Sequence, residues 1–206
     1  MTISTYAQLQ SAIADWLIRD DLVAVIPSFI ALAEADINRK LRDWRMERRS
    51  TATLDVQYSA LPADWVETSR LHIVGDTSRL EVASQGALAE MRAMRGDLVG
   101  KPTHYALTAG SLELFPTPDQ TYTAEMVYFA KVPTLSNSVT TNWLLTTAPD
   151  VYLYGALTQS APYLKDDART EIWASLYMAA IEGLNTSSER ARFSGNGLRL
   201  RIRGLT

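Results

Sequence analysis

The sequence predicts an α+β protein. N- and C-terminal helices pack as a helical bundle, an antiparallel β-sheet region is inserted between them, and an extended arm closes the chain. Three observations carry that expectation. Apolar residues recur at three- and four-residue steps over the first forty residues and again from about 149 to 185. Between them, from about 44 to 132, apolar and polar residues alternate in short runs broken by Pro, Gly and Asp. After Ser194-Gly195-Asn196-Gly197 the chain ends in an alternating apolar and basic segment. Helices first, strands next and helices last place the strands as an insertion. Residues 1–193 are expected to form a single domain, with helices at about 5–42 and 149–185, strands at about 44–132 and a loop at 134–142. Residues 194–206 are expected to form the arm.

Thr5 and Gln8 predict a capping box, after which Tyr6, Leu9, Ile13, Trp16 and Leu17 share one helical face. Asp20 and Asp21 interrupt that face and are placed to cap the next helix. That helix carries Ile26, Phe29, Ile30, Ala33, Ile37 and Leu41, with Pro27 in its first turn and Arg39, Lys40 and Arg42 at its end. Residues 46–58 read as one extended strand. Leu61-Pro62-Ala63-Asp64-Trp65 reads as a turn, and Leu71 and Ile73 mark a short strand. Residues 84–94 form a helix capped by Ser84, and a hairpin turns at Ala109-Gly110. Pro116, Pro118 and Asp119 end it, and a longer strand follows from Tyr122 to about Ala130. The polar loop 134–142 has little to bury. Two helices then run from about Pro149 to Leu164 and from near Asp167 to Leu184, the second ending at Asn185 and Thr186.

Composition narrows the possible functions. The chain has 206 residues, 47% hydrophobic and 21% charged, enough for a core without disulfides. Cysteine is absent, so thiol catalysis and thiolate metal sites are excluded within the chain. A net charge of -3 provides no overall basic field to recruit nucleic acid. No stretch is apolar enough to cross a bilayer, and no signal peptide precedes the first helix. Synthesis in the cytoplasm is expected.

No catalytic constellation stands out, and no catalytic, metal-binding or cofactor-binding residue is assigned. His72 and His104 are separate histidines in strand-like sequence. Glu34 and Asp36 lie two residues apart, so they face different sides of their helix. Asp166 and Asp167 suit a helix cap. Asp64 beside Trp65 suits a turn, with a sugar-binding cleft as the alternative. The basic residues from Arg39 to Arg49 are interrupted by Asp43 and Glu47, as in a solvated face or a subunit interface.

The arm presents Leu198, Leu200 and Ile202 on one side of an extended strand and Arg199, Arg201 and Arg203 on the other. A lone strand needs a sheet edge. It can close the chain's own sheet, be lent to a neighbouring subunit or partner, or meet phosphates through its arginines.

Four segments, in order, carry a resemblance. They are residues 29–42 (FIALAEADINRKLR), residues 61–65 (LPADW), residues 112–118 (LELFPTP) leading into 122–132, and the group 143–145 (WLL), 149–157 (PDVYLYGAL) and 163–167 (YLKDD). Together they resemble the head-to-tail adaptor proteins of short-tailed and related tailed phages. The resemblance implies a structural protein rather than an enzyme. It would form a ring, a dodecamer in most such proteins, that docks on the portal protein after packaging. The ring would extend the DNA channel and offer a surface to tail or nozzle proteins, with genome DNA passing through unbound by specific contacts. It also implies a place in the virion at the head–tail junction, assembly in the host bacterial cytoplasm, no cofactor and no membrane partner. Leu198, Arg199, Leu200, Arg201, Ile202 and Arg203 become the expected portal-binding segment. The alternatives are another neck or tail component such as a tube terminator, or a tail-associated cell-wall hydrolase built around Asp64.

Overall fold

Thr5 opens the first helix as its spacing requires. Its hydroxyl accepts from the Gln8 N–H at 3.3 Å, and the Gln8 side chain accepts from the Thr5 N–H at 3.2 Å. The resulting α1 (Tyr6–Leu17) buries Leu9, Ala12, Ile13 and Leu17. Trp16 stays half exposed, edge-on to Tyr154 at 5.8 Å. Ile18 then takes a left-handed conformation and ends the helix. These coordinates are a computed structural model that describes residues 2–76, 79–164 and 169–193.

The chain divides into two compact units, Met1–Arg45 with Val132–Thr206, and Met46–Lys131. In the first unit a short 3-10 turn, Asp20–Leu22, leads to α2 (Ile26–Lys40). The expected acidic cap of α2 is absent. Asp21 is paired with Arg19 at 2.6 Å, and the residue at the cap position is Val25, which makes no side-chain bond. A missing cap costs about 1 kcal/mol. Burying one large aliphatic side chain returns about 1.5–3 kcal/mol, and α2 buries Ile26, Phe29, Ile30 and Ile37.

The second unit holds two sheets, where a single antiparallel one was expected. The first has the order β1-β7-β3, with β1 (Glu47–Leu54), β3 (Trp65–Ile73) and central β7 (Tyr122–Ala130), all antiparallel. The second has the order β2-β6-β5-β4, with β2 (Tyr58–Ala60), β4 (Glu81–Val82), β5 (His104–Thr108) and β6 (Ser111–Phe115). In it β4 runs parallel to β5. The run expected as one strand at 46–58 therefore breaks after Leu54, and its two parts join different sheets. One apolar cluster, including Leu54, Leu71, Leu112, Leu114 and Met126, draws residues from both sheets. A smaller cluster packs Leu88 of α3 (Gln85–Arg95), which Ser84 caps, against Ala106 and Phe115. The β5–β6 turn places Ala109 at φ 48 and Gly110 at φ 78, the two positive values a tight hairpin turn demands.

Back in the first unit, the five-residue α4 (Trp143–Thr147) was not anticipated. Asn142 starts it by accepting from the Leu145 N–H at 2.8 Å. Then come α5 (Pro149–Leu164) and α6 (Thr170–Phe193). Helix α6 does not stop at Asn185 but runs on to Phe193. Helix α5 packs against α1, α2 and α6. At Gly155 a Cβ would stand 3.1 Å from the Tyr177 ring and 3.3 Å from the Ala33 methyl. That position on α5 is where α2 and α6 both approach.

Gly155→Val should therefore destabilise the protein by about 1–3 kcal/mol through overpacking, measured by urea unfolding. Ala109→Gly should instead stabilise it by about 1 kcal/mol, because a left-handed Ala is strained, read from the same curves.

Candidate partner-binding site

The expected portal-binding residues, Leu198, Arg199, Leu200, Arg201, Ile202 and Arg203, lie outside the described residues. Helix α6 carries the chain toward them as far as Phe193. The bundle that bears α6 is held by side chains whose polar character hid their role.

Asn185 and Ser188 lie on α6 yet bond the end of α2. The Asn185 Oδ1 accepts from the Arg42 N–H at 2.8 Å, and its Nδ2 donates to the Lys40 carbonyl at 3.2 Å. The Ser188 hydroxyl accepts from the Trp44 N–H at 2.8 Å. The last carbonyls of a helix lack helical partners, and Asn185 of α6 supplies one to Lys40.

Glu34 and Asp36 do face different sides of α2, and both are buried. The Glu34 carboxylate accepts from the Leu135 N–H at 2.7 Å and from the Tyr152 hydroxyl at 3.4 Å. Asn142 donates to that hydroxyl and to the Pro133 carbonyl, both at 2.7 Å. The Asn38 side chain accepts from the Val132 N–H at 2.8 Å. The loop 134–142 is therefore fastened at its start and end. Leu135 is buried, and the exposed stretch begins at Asn137. Desolvation pushes the Glu34 carboxyl above its ordinary value of 4.5, against the pull of the Leu135 and Tyr152 bonds. Burial also pushes the Tyr152 phenol up.

Asp36 is the opposite case. Burial opposes its charge, but bonds from Lys40, Tyr177 and Arg39 outweigh that and hold its carboxyl below the usual value. Lys40 stands 2.7 Å away, Arg39 3.0 Å and the Tyr177 hydroxyl 2.9 Å.

The basic run from Arg39 to Arg49 resolves into separate local contacts. Arg39 meets Asp36, and Arg42 donates to the Asn38 and Leu41 carbonyls. Arg45 lies 3.8 Å from the fully buried Asp43 and faces the Trp44 and Trp143 rings. Arg48 meets Asp64 at 2.8 Å and Arg49 meets Glu125 at 3.5 Å.

Asp64 also accepts from the Tyr128 hydroxyl at 2.9 Å, so its side chain ties a turn to β7. His104 stands 3.5 Å from Glu81 and accepts from or donates to the Thr103 hydroxyl at 2.8 Å. His72 lies on β3, opposite Glu125 of β7. A pocket of about 280 Å³ brings Asp76, Arg79, Glu81, Lys101 and His104 together, and in it Lys101 is paired with Asp76 at 2.7 Å. A cleft of about 240 Å³, lined by Ser50, Ala52, Ser59, Leu112 and Met126 among others, holds no ionisable side chain. Among the described residues no group of three His, Asp or Glu side chains could hold a metal ion. No described helix is long and apolar enough to cross a membrane.

Polar side chains thus fix helix ends and a loop, and several charged groups are tied to one another. A family model described as the SU10 adaptor protein matches residues 4–201, and the chain belongs to this family of phage head-to-tail adaptors. No curated protein matches it.

The two carboxylates predict opposite pH dependences. Raised in the fold, Glu34 contributes stability that is fully present below pH 4.5 and lost as pH rises through its folded value. Lowered in the fold, Asp36 contributes stability present above its unfolded value of 3.8 and lost as pH falls through its folded value. Glu34→Gln keeps an acceptor for Leu135 but cannot ionise. Its melting temperature should gain on the wild type as pH rises from 4.5 to 7, and parallel profiles would remove Glu34 from this role.

Proposed function

We propose that the chain forms a homo-oligomeric ring, most simply a dodecamer, that docks on the portal protein and joins the phage head to the tail. The ring extends the DNA channel and gives tail or nozzle proteins a docking surface. Residues 1–193 act as one adaptor domain and residues 194–206 as its arm. The protein is structural and catalyses no reaction, works at the head–tail junction of the virion, and is assembled in the host bacterial cytoplasm.

The observation that carries this proposal is the family match over residues 4–201, nearly the whole chain. The pairing of the arginines supports the accompanying view of DNA. Arg39, Arg48 and Arg49 already meet carboxylates, and the chain is acidic overall at -3. A channel wall of that kind lets phosphates pass without gripping them. Leu198, Arg199, Leu200, Arg201, Ile202 and Arg203 remain the portal-binding segment in this proposal, a strand whose backbone pairs with an edge on the partner.

Removing residues 198–206 should weaken portal binding at least tenfold in a pull-down with purified portal, while the melting temperature stays within about 2 °C of the full chain. Portal binding of undiminished strength would move the docking surface elsewhere.

A further inference from the structure

Two helices of the first unit each keep an outward face without a partner among the described residues. On α2 that face carries Ser28, Leu32, Ala35 and Arg39, all exposed, with Leu32 at 52%. On α6 it carries Ile172, Leu176, Ala179 and Gly183, with Ile172 at 61% and Leu176 at 40%. The buried residues of α6, Trp173, Tyr177, Ile181 and Ser188, lie on a different side. Both outward rows step by four, three and four residues, the seven-residue spacing that keeps a seam between two paired helices.

Gly183 adds a separate observation. It sits inside a 24-residue helix, where glycine is the poorest choice after proline. Its helical backbone has no positive φ that would call for glycine, and a Cβ built there meets nothing within 4 Å. Gly155 differs, since its bare backbone is explained by Tyr177 and Ala33 of the same chain. A glycine with no crowding from the described residues of its own subunit is explained by the close approach of another helix from outside.

We infer that the α6 face at 172, 176, 179 and 183 packs, antiparallel, on the α2 face at 28, 32, 35 and 39 of a second copy of this chain. In that register large meets small at the two inner steps, Leu176 over Ala35 and Leu32 over Ala179, and the two small residues Ser28 and Gly183 allow close approach at one end. At one end Glu171 meets Lys40 and Arg39. These two cations share the single carboxylate of Asp36, whereas Glu171 has no ion pair among the described residues. Near the other end Glu182 lies against the N-terminus of α2, where a helix favours negative charge.

Charge disfavours self-pairing of the α6 face, since two antiparallel copies would set Glu171 against Glu182, and two antiparallel α2 faces would leave Arg39 and Lys40 opposite Ser28 with no acidic partner from the other copy. A contact between two different faces repeats from copy to copy and closes into a ring when its rotation allows. The inference rests on the proposed ring and names the surfaces that build it.

The chain has no cysteine, so a designed pair reports without background. The double variant Leu32→Cys, Ala179→Cys would be assembled on purified portal, mildly oxidised and run without reductant. A ladder of covalent multimers that collapses on reduction is expected, with no dimer from either single variant. Portal-bound, oligomeric protein that gives no ladder would overturn the interface while leaving the ring. Dimers from a single variant would also overturn it, because they would show like faces meeting. A chain that neither binds portal nor assembles would contradict the ring itself. As a second measure, Gly183→Leu should leave the circular dichroism and melting temperature of the subunit unchanged or improved and weaken assembly at least tenfold. Assembly at wild-type concentration would overturn the interface.

Discussion

Side chains of α6 and of the C-terminal half of α2 fasten the backbone of the helical unit on either side of the strand-rich insertion. The chain leaves the helical unit after Arg45 and returns at Val132. On the way out, the N–H groups of Arg42 and Trp44 are taken by Asn185 and Ser188 of α6. On the way back, those of Val132 and Leu135 are taken by Asn38 and Glu34 of α2. The Leu135 bond is buried and the other three are partly so, and a buried N–H left without an acceptor costs about 1–3 kcal/mol. The remainder of the helical unit is arranged around these bonds. Tyr152 and Asn142 complete the Glu34 contact, and Gly155 lets α5 come close enough to Ala33 and Tyr177 to seal the layer.

This arrangement bears on function through what it uses up. Groups that might suggest chemistry in isolation, such as Glu34, Asp36, Asp43 and Asp64, each bond a backbone amide, a tyrosine or a cation in fixed positions. Such groups hold shape, and shape is what a structural adaptor contributes. Among the described residues, the outward rows of α2 and α6 and the loop from Asn137 stay exposed. In the proposed ring, a subunit that meets copies of itself and other virion proteins would need several distinct faces of this kind.

Much of the fold was legible because period reports burial. The alternating run from Tyr122 to Ala130 is β7, and the capping signals at Thr5 and Ser84 start α1 and α3. The errors share a physical cause. Asn185 and Thr186 look like a helix stop when apolar spacing alone is read, but Asn185 serves another helix's end and α6 continues. Asp21 looks like a cap but is paired locally with Arg19. The loop 134–142 looks like a segment with nothing to bury, yet Glu34, buried on α2 and a hundred residues distant in sequence, fastens it through Leu135. The split of residues 46–58 between two sheets depends on pairing with β7 and β6, which a local pattern does not encode. The family could be read from ordered segments, whereas the buried network of Glu34, Asn142 and Tyr152 could not. Its one available signal was acid and amide residues placed among apolar helix positions.

The most direct test of the central claim is an image of the neck of the intact virion, at a resolution that traces helices. A closed ring of this chain directly below the portal, with the arm running to the portal surface, is the predicted result. A neck without this chain, or the chain located elsewhere in the particle with no portal contact, would contradict it.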